Sequence, residues 1–97
     1  MYARLVIAQV KPDKMDDLIR IYRDSIVPAA KQQKGCKGAY LMTDPTTGKA
    51  FSEVIWETEA DMKAGEASGY LNEQIAKVSA TFVSPPITER YEISVQA

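Results

Sequence analysis

The segment KGAYLMTDPTTGKAFSEVIWETEADM, from Lys37 to Met62, predicts a strand, a turn, a second strand and a helix start in immediate succession. Lys37 to Asp44 and Lys49 to Glu57 both contain the apolar and aromatic residues typical of strands. The Asp, Pro, Thr and Gly residues between them are typical of a tight turn. The two strands are therefore expected to form an antiparallel hairpin.

A helix is predicted directly after this hairpin. Thr58 is a suitable N-cap residue, and Asp61 follows three residues later, as in a capping pair. Gly65 and Gly69 are expected to break the helix into two pieces, because each glycine costs about 1 kcal/mol in a helix interior. The second piece carries an apolar side formed by Leu71, Ile75, Val78 and Phe82.

The flanking segments supply two more strands and one more helix. Tyr2 to Lys11 has apolar residues on both faces, which predicts a central strand covered on both sides. A helix follows from Met15 to Ile26, and Pro28 is expected to kink or restart it near Val27. Ile87 to Val95 alternates apolar and polar residues and predicts the last strand.

This order of elements predicts one domain over residues 1–97 in the α+β class. Strand, helix, strand, strand, helix, strand is the ferredoxin-like split βαβ arrangement, a four-stranded antiparallel sheet with both helices on one face. The other face of the sheet would carry apolar residues from the first strand. Burial of such surface stabilises by about 25 cal/mol per Å². A second copy of the chain is therefore expected to cover that face, with Arg90, Glu92 and Glu53 pairing across the interior between the two sheets.

Composition narrows the classes of function. The 97 residues are 45% hydrophobic and 26% charged, with 12 basic and 13 acidic side chains and a net charge of −1. The sequence has no basic cluster of the kind that predicts nucleic-acid binding, and no apolar run approaches the roughly 20 residues of a membrane span. With no signal peptide and Cys36 as the only cysteine, we expect a cytoplasmic protein. The absence of histidine argues against Ser-His and Cys-His catalysis and against His-ligated metal or haem.

Several short motifs resemble the antibiotic biosynthesis monooxygenase family, whose members are dimeric α+β barrels. They extend over nearly the whole chain and are Val27-Pro28-Ala29-Ala30, Gly35-Cys36-Lys37-Gly38-Ala39, Asp44 with Gly48-Lys49, and Ile55-Trp56-Glu57-Thr58-Glu59 with Asp61. The resemblance implies a pocket between sheet and helices in each subunit. It also implies a homodimer.

The resemblance suggests chemistry as well. Some members of the family oxidise aromatic phenols to quinones with molecular oxygen and no cofactor, and others degrade haem. The haem-degrading branch needs an Asn on the first strand and a His, and this chain has neither, so no cofactor and no metal are expected. Trp56 matches the Trp that walls the pocket in the family. Asn72 is the only Asn, and Tyr70 and Tyr91 are the tyrosines best placed to join it.

The candidate substrate-binding residues are therefore Trp56, Tyr70, Asn72 and Tyr91, with no catalytic residue assigned. Trp56 is expected both to seal the core and to form one wall of a cavity beside the Gly65 to Asn72 segment. Three functions stay open at this stage. They are a cofactor-independent monooxygenase acting on an aromatic phenol or quinol, a non-catalytic module that binds or sequesters a small apolar ligand, and a purely structural dimer domain.

Overall fold

A computed structural model describes residues 1–97, with four strands and four α-helices. The strands are β1 (Tyr2–Gln9), β2 (Cys36–Asp44), β3 (Lys49–Trp56) and β4 (Ile87–Glu92). The helices are α1 (Met15–Ile21), α2 (Val27–Lys31), α3 (Glu59–Ala67) and α4 (Tyr70–Val78). A π-helical turn (Tyr22–Ile26) joins α1 to α2, and a 3₁₀ turn (Ser79–Thr81) follows α4. None of these helices combines the length and the apolar character needed to cross a bilayer.

The four strands form one antiparallel sheet in the order β2-β3-β1-β4. The predicted ferredoxin-like α+β fold is confirmed, because β1 lies between β3 and β4, neither of which is the next strand in the sequence. The register pairs Tyr2 with Trp56 and Arg4 with Val54 on β3, and Arg4 with Arg90 on β4. Residues paired in this way lie on the same face of the sheet.

Three strands end earlier than the sequence predicts, and for β3 the difference is one residue, Trp56 rather than Glu57. β1 stops at Gln9 rather than Lys11, although Val10 still forms an isolated bridge to Phe82 beyond the end of α4. β4 stops at Glu92 rather than Val95. The only strand beside β4 is β1. Its first residue, Tyr2, already pairs with Glu92, so β1 has no further residue to pair with residues 93–95. The last contact is from Ile93 N to Met1 O at 2.9 Å.

Most of the local signals in the sequence are confirmed, but Gly65 lies inside α3 and does not break it. Thr58 Oγ1 accepts a hydrogen bond from Asp61 N at 3.1 Å, so Thr58 caps α3 as predicted. Gly69 separates α3 from α4 with a positive φ of 87°. Pro28 stands where the π-helical turn gives way to α2, because its ring and missing N–H disturb a regular α-helix one turn upstream.

The sheet has two different faces. The face toward the helices carries Tyr2, Arg4, Val6 and Ala8 of β1, and the core packs there around Trp56, Met62, Val10 and Leu18. The opposite face, called here the open face, carries apolar side chains that no other part of the chain covers. Its most exposed members are Tyr40 at 56%, Met42 at 46%, Ile87 at 62% and Tyr91 at 53%.

Candidate functional site

A cavity of about 60 Å³ lies between the helix-facing side of the sheet and the helices α1 and α4. Thirteen of its sixteen lining residues are hydrophobic. The remaining three are Arg4, Ser52 and Gln74, and two tyrosines, Tyr22 and Tyr70, add hydroxyl groups. The arrangement is an apolar slot with a small number of polar groups, which is the usual composition of a small-molecule site.

Arg4 is the only charged residue that lines the cavity, and it is 2% exposed. It projects from the centre of β1, and its Nη1 donates to Met62 O at 3.1 Å and to Glu66 Oε2 at 3.3 Å. Burial lowers the pKa of Arg4, while the Glu66 carboxylate works in the opposite direction. Its guanidinium lies 5.2 Å from the centre of the Trp56 ring, within the range of a cation–π interaction.

Glu66 connects Arg4 to a second arginine. Arg90 Nε donates to both carboxylate oxygens of Glu66, at 2.9 and 3.0 Å. Hydrogen bonds from Arg90 hold the pKa of Glu66 below its usual value. The expectation that Arg90 pairs across a dimer interface is therefore wrong, because residues 88, 90 and 92 of β4 face the helices and Arg90 is bound to Glu66 of its own chain.

Tyr70, at the start of α4, is 9% exposed and lines the cavity. Its hydroxyl makes no hydrogen bond to another protein group, although its backbone N–H donates to Ser68 Oγ at 3.4 Å. Burial, the largest cause, raises the pKa of Tyr70 to about 12. The hydroxyl is therefore protonated at neutral pH and is available to donate to a ligand oxygen.

Tyr22, in contrast, is fixed by the protein. Its hydroxyl lies 2.9 Å from Ser52 Oγ and donates to Tyr40 O at 3.1 Å. Burial raises the pKa of Tyr22 above its ordinary value. Tyr22 thus joins the π-helical turn to β2 and β3, and Ser52 is held beside the cavity by the same contact.

Trp56 is fully buried behind the cavity rather than among its lining residues. It packs with Val54, Met62 and Tyr70 in a separate core cluster. Its Nε1 is buried and has no hydrogen-bond partner. Trp56 therefore seals the sheet against α3 and reaches the cavity only through its neighbours Arg4 and Tyr70.

The other two candidate residues lie elsewhere. Asn72 is exposed on α4 and does not line the cavity. Tyr91 is on the open face, and its hydroxyl donates to Glu89 Oε1 at 3.0 Å. The structure thus brings Trp56 and Tyr70 together and keeps Asn72 and Tyr91 apart from them. Ligand binding by these four residues stays a prediction.

Residues 1–76 match the model of the antibiotic biosynthesis monooxygenase family. The chain belongs to the antibiotic biosynthesis monooxygenase family. The match includes β1 with Arg4, the hairpin, Trp56, α3 and Tyr70, and it ends before β4.

Similar proteins agree with this assignment at the level of fold. The uncharacterized protein Rv2557 of Mycobacterium tuberculosis is 29% identical over 98 residues, covering 97% of this chain and 41% of that protein. This chain thus spans less than half the length of the curated relatives that it matches first. The structure of Rv0793 from Mycobacterium tuberculosis superposes with a TM-score of 0.77 at 16% identity, covering 99% of this chain and 97% of the other. A crystal structure described as antibiotic biosynthesis monooxygenase gives 0.75 at 17% identity, covering 98% and 100%.

Arg4 is the cavity residue that sequence reasoning missed. A single arginine inside the apolar run Ala3 to Ala8 is the signal that could have found it, because a charge in a central strand needs a partner or a function. Its partner Glu66 lies on α3. The two are 62 positions apart, and no local pattern connects them.

Proposed function

We propose that this chain binds a small aromatic phenol or quinol in the cavity and acts on it as a cofactor-independent monooxygenase. The observation that carries the proposal is the Tyr70 hydroxyl, which is protonated, has no hydrogen-bond partner in the protein and belongs to a residue that lines a mostly apolar cavity. Family membership supports the reaction class. In such a reaction a phenol and O₂ give a quinone and water, so the substrate itself supplies the electrons.

The cavity limits its ligand to at most one aromatic ring, part of which would lie outside it, because an enclosed cavity that holds benzene has about 150 Å³. Its volume of about 60 Å³ is far below the roughly 300–1,000 Å³ of sites for drug-sized molecules. The apolar walls would exclude water from the ring, and Tyr70 would donate a hydrogen bond to one ligand oxygen. A site that contains little water strengthens that hydrogen bond. It also strengthens the electrostatic effect of nearby charges on a substrate that is being oxidised.

The test compares wild type with Tyr70→Phe, using hydroquinone as the probe. Binding is followed by the fluorescence of Trp56, which contacts the Tyr70 ring, and reaction by oxygen consumption. Loss of the hydroxyl should weaken binding about 2- to 12-fold, as expected for one hydrogen bond. Tyr40→Phe is the matched control, because Tyr40 is 56% exposed on the open face and should have no effect. Equal binding by wild type and Tyr70→Phe would overturn the role of Tyr70.

A second candidate function is binding without catalysis. It is favoured by the lack of a proton acceptor in the cavity, since Tyr70 keeps its proton up to about pH 12 and Arg4 is a cation. Saturable binding of hydroquinone with no oxygen consumption above the rate of the free compound would support this function. Oxygen consumption that saturates with hydroquinone and yields hydroxyquinone and water, rather than benzoquinone and hydrogen peroxide, would support the monooxygenase.

We also propose that two copies pack through their open faces. Ile87 and Tyr91 support this, because the apolar side of β4 faces away from the helices. Leu5 and Ile7 add apolar surface at the centre of the same face. Sedimentation should give about twice the chain mass of 10.7 kDa, and Leu5→Asp should give the mass of one chain. A single-chain mass for the wild type at micromolar concentration would contradict the proposal.

A further inference from the structure

We infer that the cavity selects ligands that carry one negative charge on an oxygen, and that Arg4 is the residue that selects them. The inference rests on the proposed small-molecule function and names the substrate class of the same site. It adds a specificity-determining residue that lies on β1, away from the candidates that the sequence suggests.

The free hydrogen-bonding capacity of Arg4 is the first argument. A guanidinium has five N–H groups, and Arg4 uses Nη1 alone for its two contacts, to Met62 O and to Glu66. Nε and Nη2 donate to no protein group, although the side chain is 2% exposed. Neither Nε nor Nη2 of Arg4 is fully buried, because Trp56 Nε1 is the one fully buried side-chain polar atom that lacks a hydrogen-bond partner. Because Arg4 lines the cavity, we assign these unused N–H groups to a ligand there.

The charges around Arg4 give the second argument. Arg4 and Arg90 share a single carboxylate, that of Glu66. Glu66 is closer to Arg90, at 2.9 and 3.0 Å, than to Arg4, at 3.3 Å. All other residues that line the cavity are uncharged. The group of three thus has one positive charge in excess, and its buried member, Arg4, lines the cavity.

A small organic monoanion fits this arrangement. A buried cation is stabilised by a charge of opposite sign, and a guanidinium forms two parallel hydrogen bonds with a carboxylate. An ionised phenol offers one charged oxygen to the same donors, and the Tyr70 hydroxyl can donate to it as well. Both ligand types share the chemistry of an ionised oxygen on a flat ring.

Two matched pairs of probes test the charge preference without relying on activity. Benzoate and benzamide have nearly the same shape and differ in charge, and 4-nitrophenol differs from 4-nitroanisole in being able to ionise. Trp56 fluorescence reports binding, because Arg4 lies 5.2 Å from the ring. We expect the anion of each pair to bind at least about tenfold more tightly, and the pKa of bound 4-nitrophenol to fall by about one unit, which is the same factor. Preference for benzoate alone would identify carboxylates as the ligands, and preference for 4-nitrophenolate alone would identify phenolates.

Charge variants then assign the effect to Arg4. Arg4→Gln should abolish the preference, and Glu66→Gln should increase it, because the local charge rises by one unit. The opposite direction of these two effects keeps the test decisive even if Arg4→Gln does not fold. Equal binding of anion and neutral probe by the wild type would overturn the inference and leave the proposed binding function intact. No binding of any of the four probes would overturn both.

Discussion

Arg90 and Glu66 form a doubly hydrogen-bonded ion pair that joins the edge strand β4 to α3. Arg90 Nε lies 2.9 and 3.0 Å from the two carboxylate oxygens. The same carboxylate reaches the buried Arg4 on β1. One glutamate therefore connects a helix to two strands, and it compensates a charge that the fold has removed from water.

This contact predicts an acid-sensitive part of the stability. Hydrogen bonds from Arg90 depress the pKa of Glu66 from its ordinary 4.5. A depressed carboxylate pKa stabilises the folded state above about pH 4.5, and this stabilisation is lost as the pH falls through the lower folded pKa. Unfolding in urea should therefore show a steeper loss of stability below about pH 4.5 in the wild type than in Glu66→Gln.

Glu59→Gln is the matched control for that experiment. Glu59 is on the same helix and pairs with Lys63 at 3.2 Å, but both side chains are exposed. An exposed pair of this kind contributes about 0–1 kcal/mol, so its loss should leave the pH profile close to that of the wild type. Glu66→Gln, which leaves Arg4 without its carboxylate, should lose about 1–3 kcal/mol at neutral pH. Identical behaviour of the two variants would contradict the bridging role of Glu66.

Substitution of Trp56 should separate packing from ligand contact. Trp56→Ala should cost about 3–5 kcal/mol, because the ring is fully buried. Trp56→Phe should cost much less, since Nε1 makes no hydrogen bond that Phe would lose. Urea unfolding followed by circular dichroism measures both. A Phe variant as unstable as the Ala variant would indicate that the indole nitrogen has a partner after all.

Gly35 and Gly69 make a matched pair of glycine substitutions. Both have a positive φ, 80° and 87°, at which an alanine is strained by about 1–2 kcal/mol. A Cβ at Gly35 would clash with the side chain of Asp61, whereas nothing lies within 4 Å at Gly69. Gly35→Ala should therefore be the more destabilising by about 1–3 kcal/mol. Replacing Asp61 with Ala in the Gly35→Ala background should recover part of the difference, and no recovery would refute the clash.

Gly65→Ala should instead stabilise the protein. Gly65 lies inside α3, where a glycine costs about 0.5–1 kcal/mol relative to alanine. A Cβ there would meet Trp56 and Tyr70 at 3.6 Å, an ordinary van der Waals contact. Because Gly65 does not line the cavity, binding of hydroquinone should stay unchanged. A lower melting temperature would mean that the two rings cannot accept the added methyl group.

The sequence contained enough local information to predict the element order. The hairpin from β2 to β3 and the Thr58 cap depend on residues within a few positions of each other, and such signals can be identified without a structure. Alternation on β4 also predicted a strand. The alternation of apolar and polar residues does not indicate which side of β4 faces the helices. In the structure the polar residues Thr88 and Arg90 face them. The edge position of β4 and its contact with Glu66 decide that orientation.

The cavity was less accessible to sequence reasoning. Trp56 and Tyr70 were recognised, but their relation to the cavity depends on how α3 and α4 lie over the sheet. The buried Arg4 donates hydrogen bonds to Met62 and Glu66, which are distant from it in sequence. Asn72 was chosen for its residue type, and the period of α4 places it on the exposed side of the helix. The residue types predicted which chemical groups could bind a ligand, whereas the packing of the helices determined where those groups lie relative to the cavity.

The π-helical turn has a consequence for tolerated changes of chain length. Val27 N donates to Tyr22 O, five residues back, so the turn holds one residue more than an α-helix needs. A π-helical turn accommodates one extra residue without turning the helix that follows, so deleting one residue from Arg23 to Ser25 would restore a regular α-helix and leave α2 in nearly its present orientation. Ala30, which is fully buried, would then keep its place in the core. This segment should therefore tolerate the deletion of one residue, whereas the same deletion within α4, a regular helix, would rotate the residues that follow by about 100° and move buried side chains out of the core.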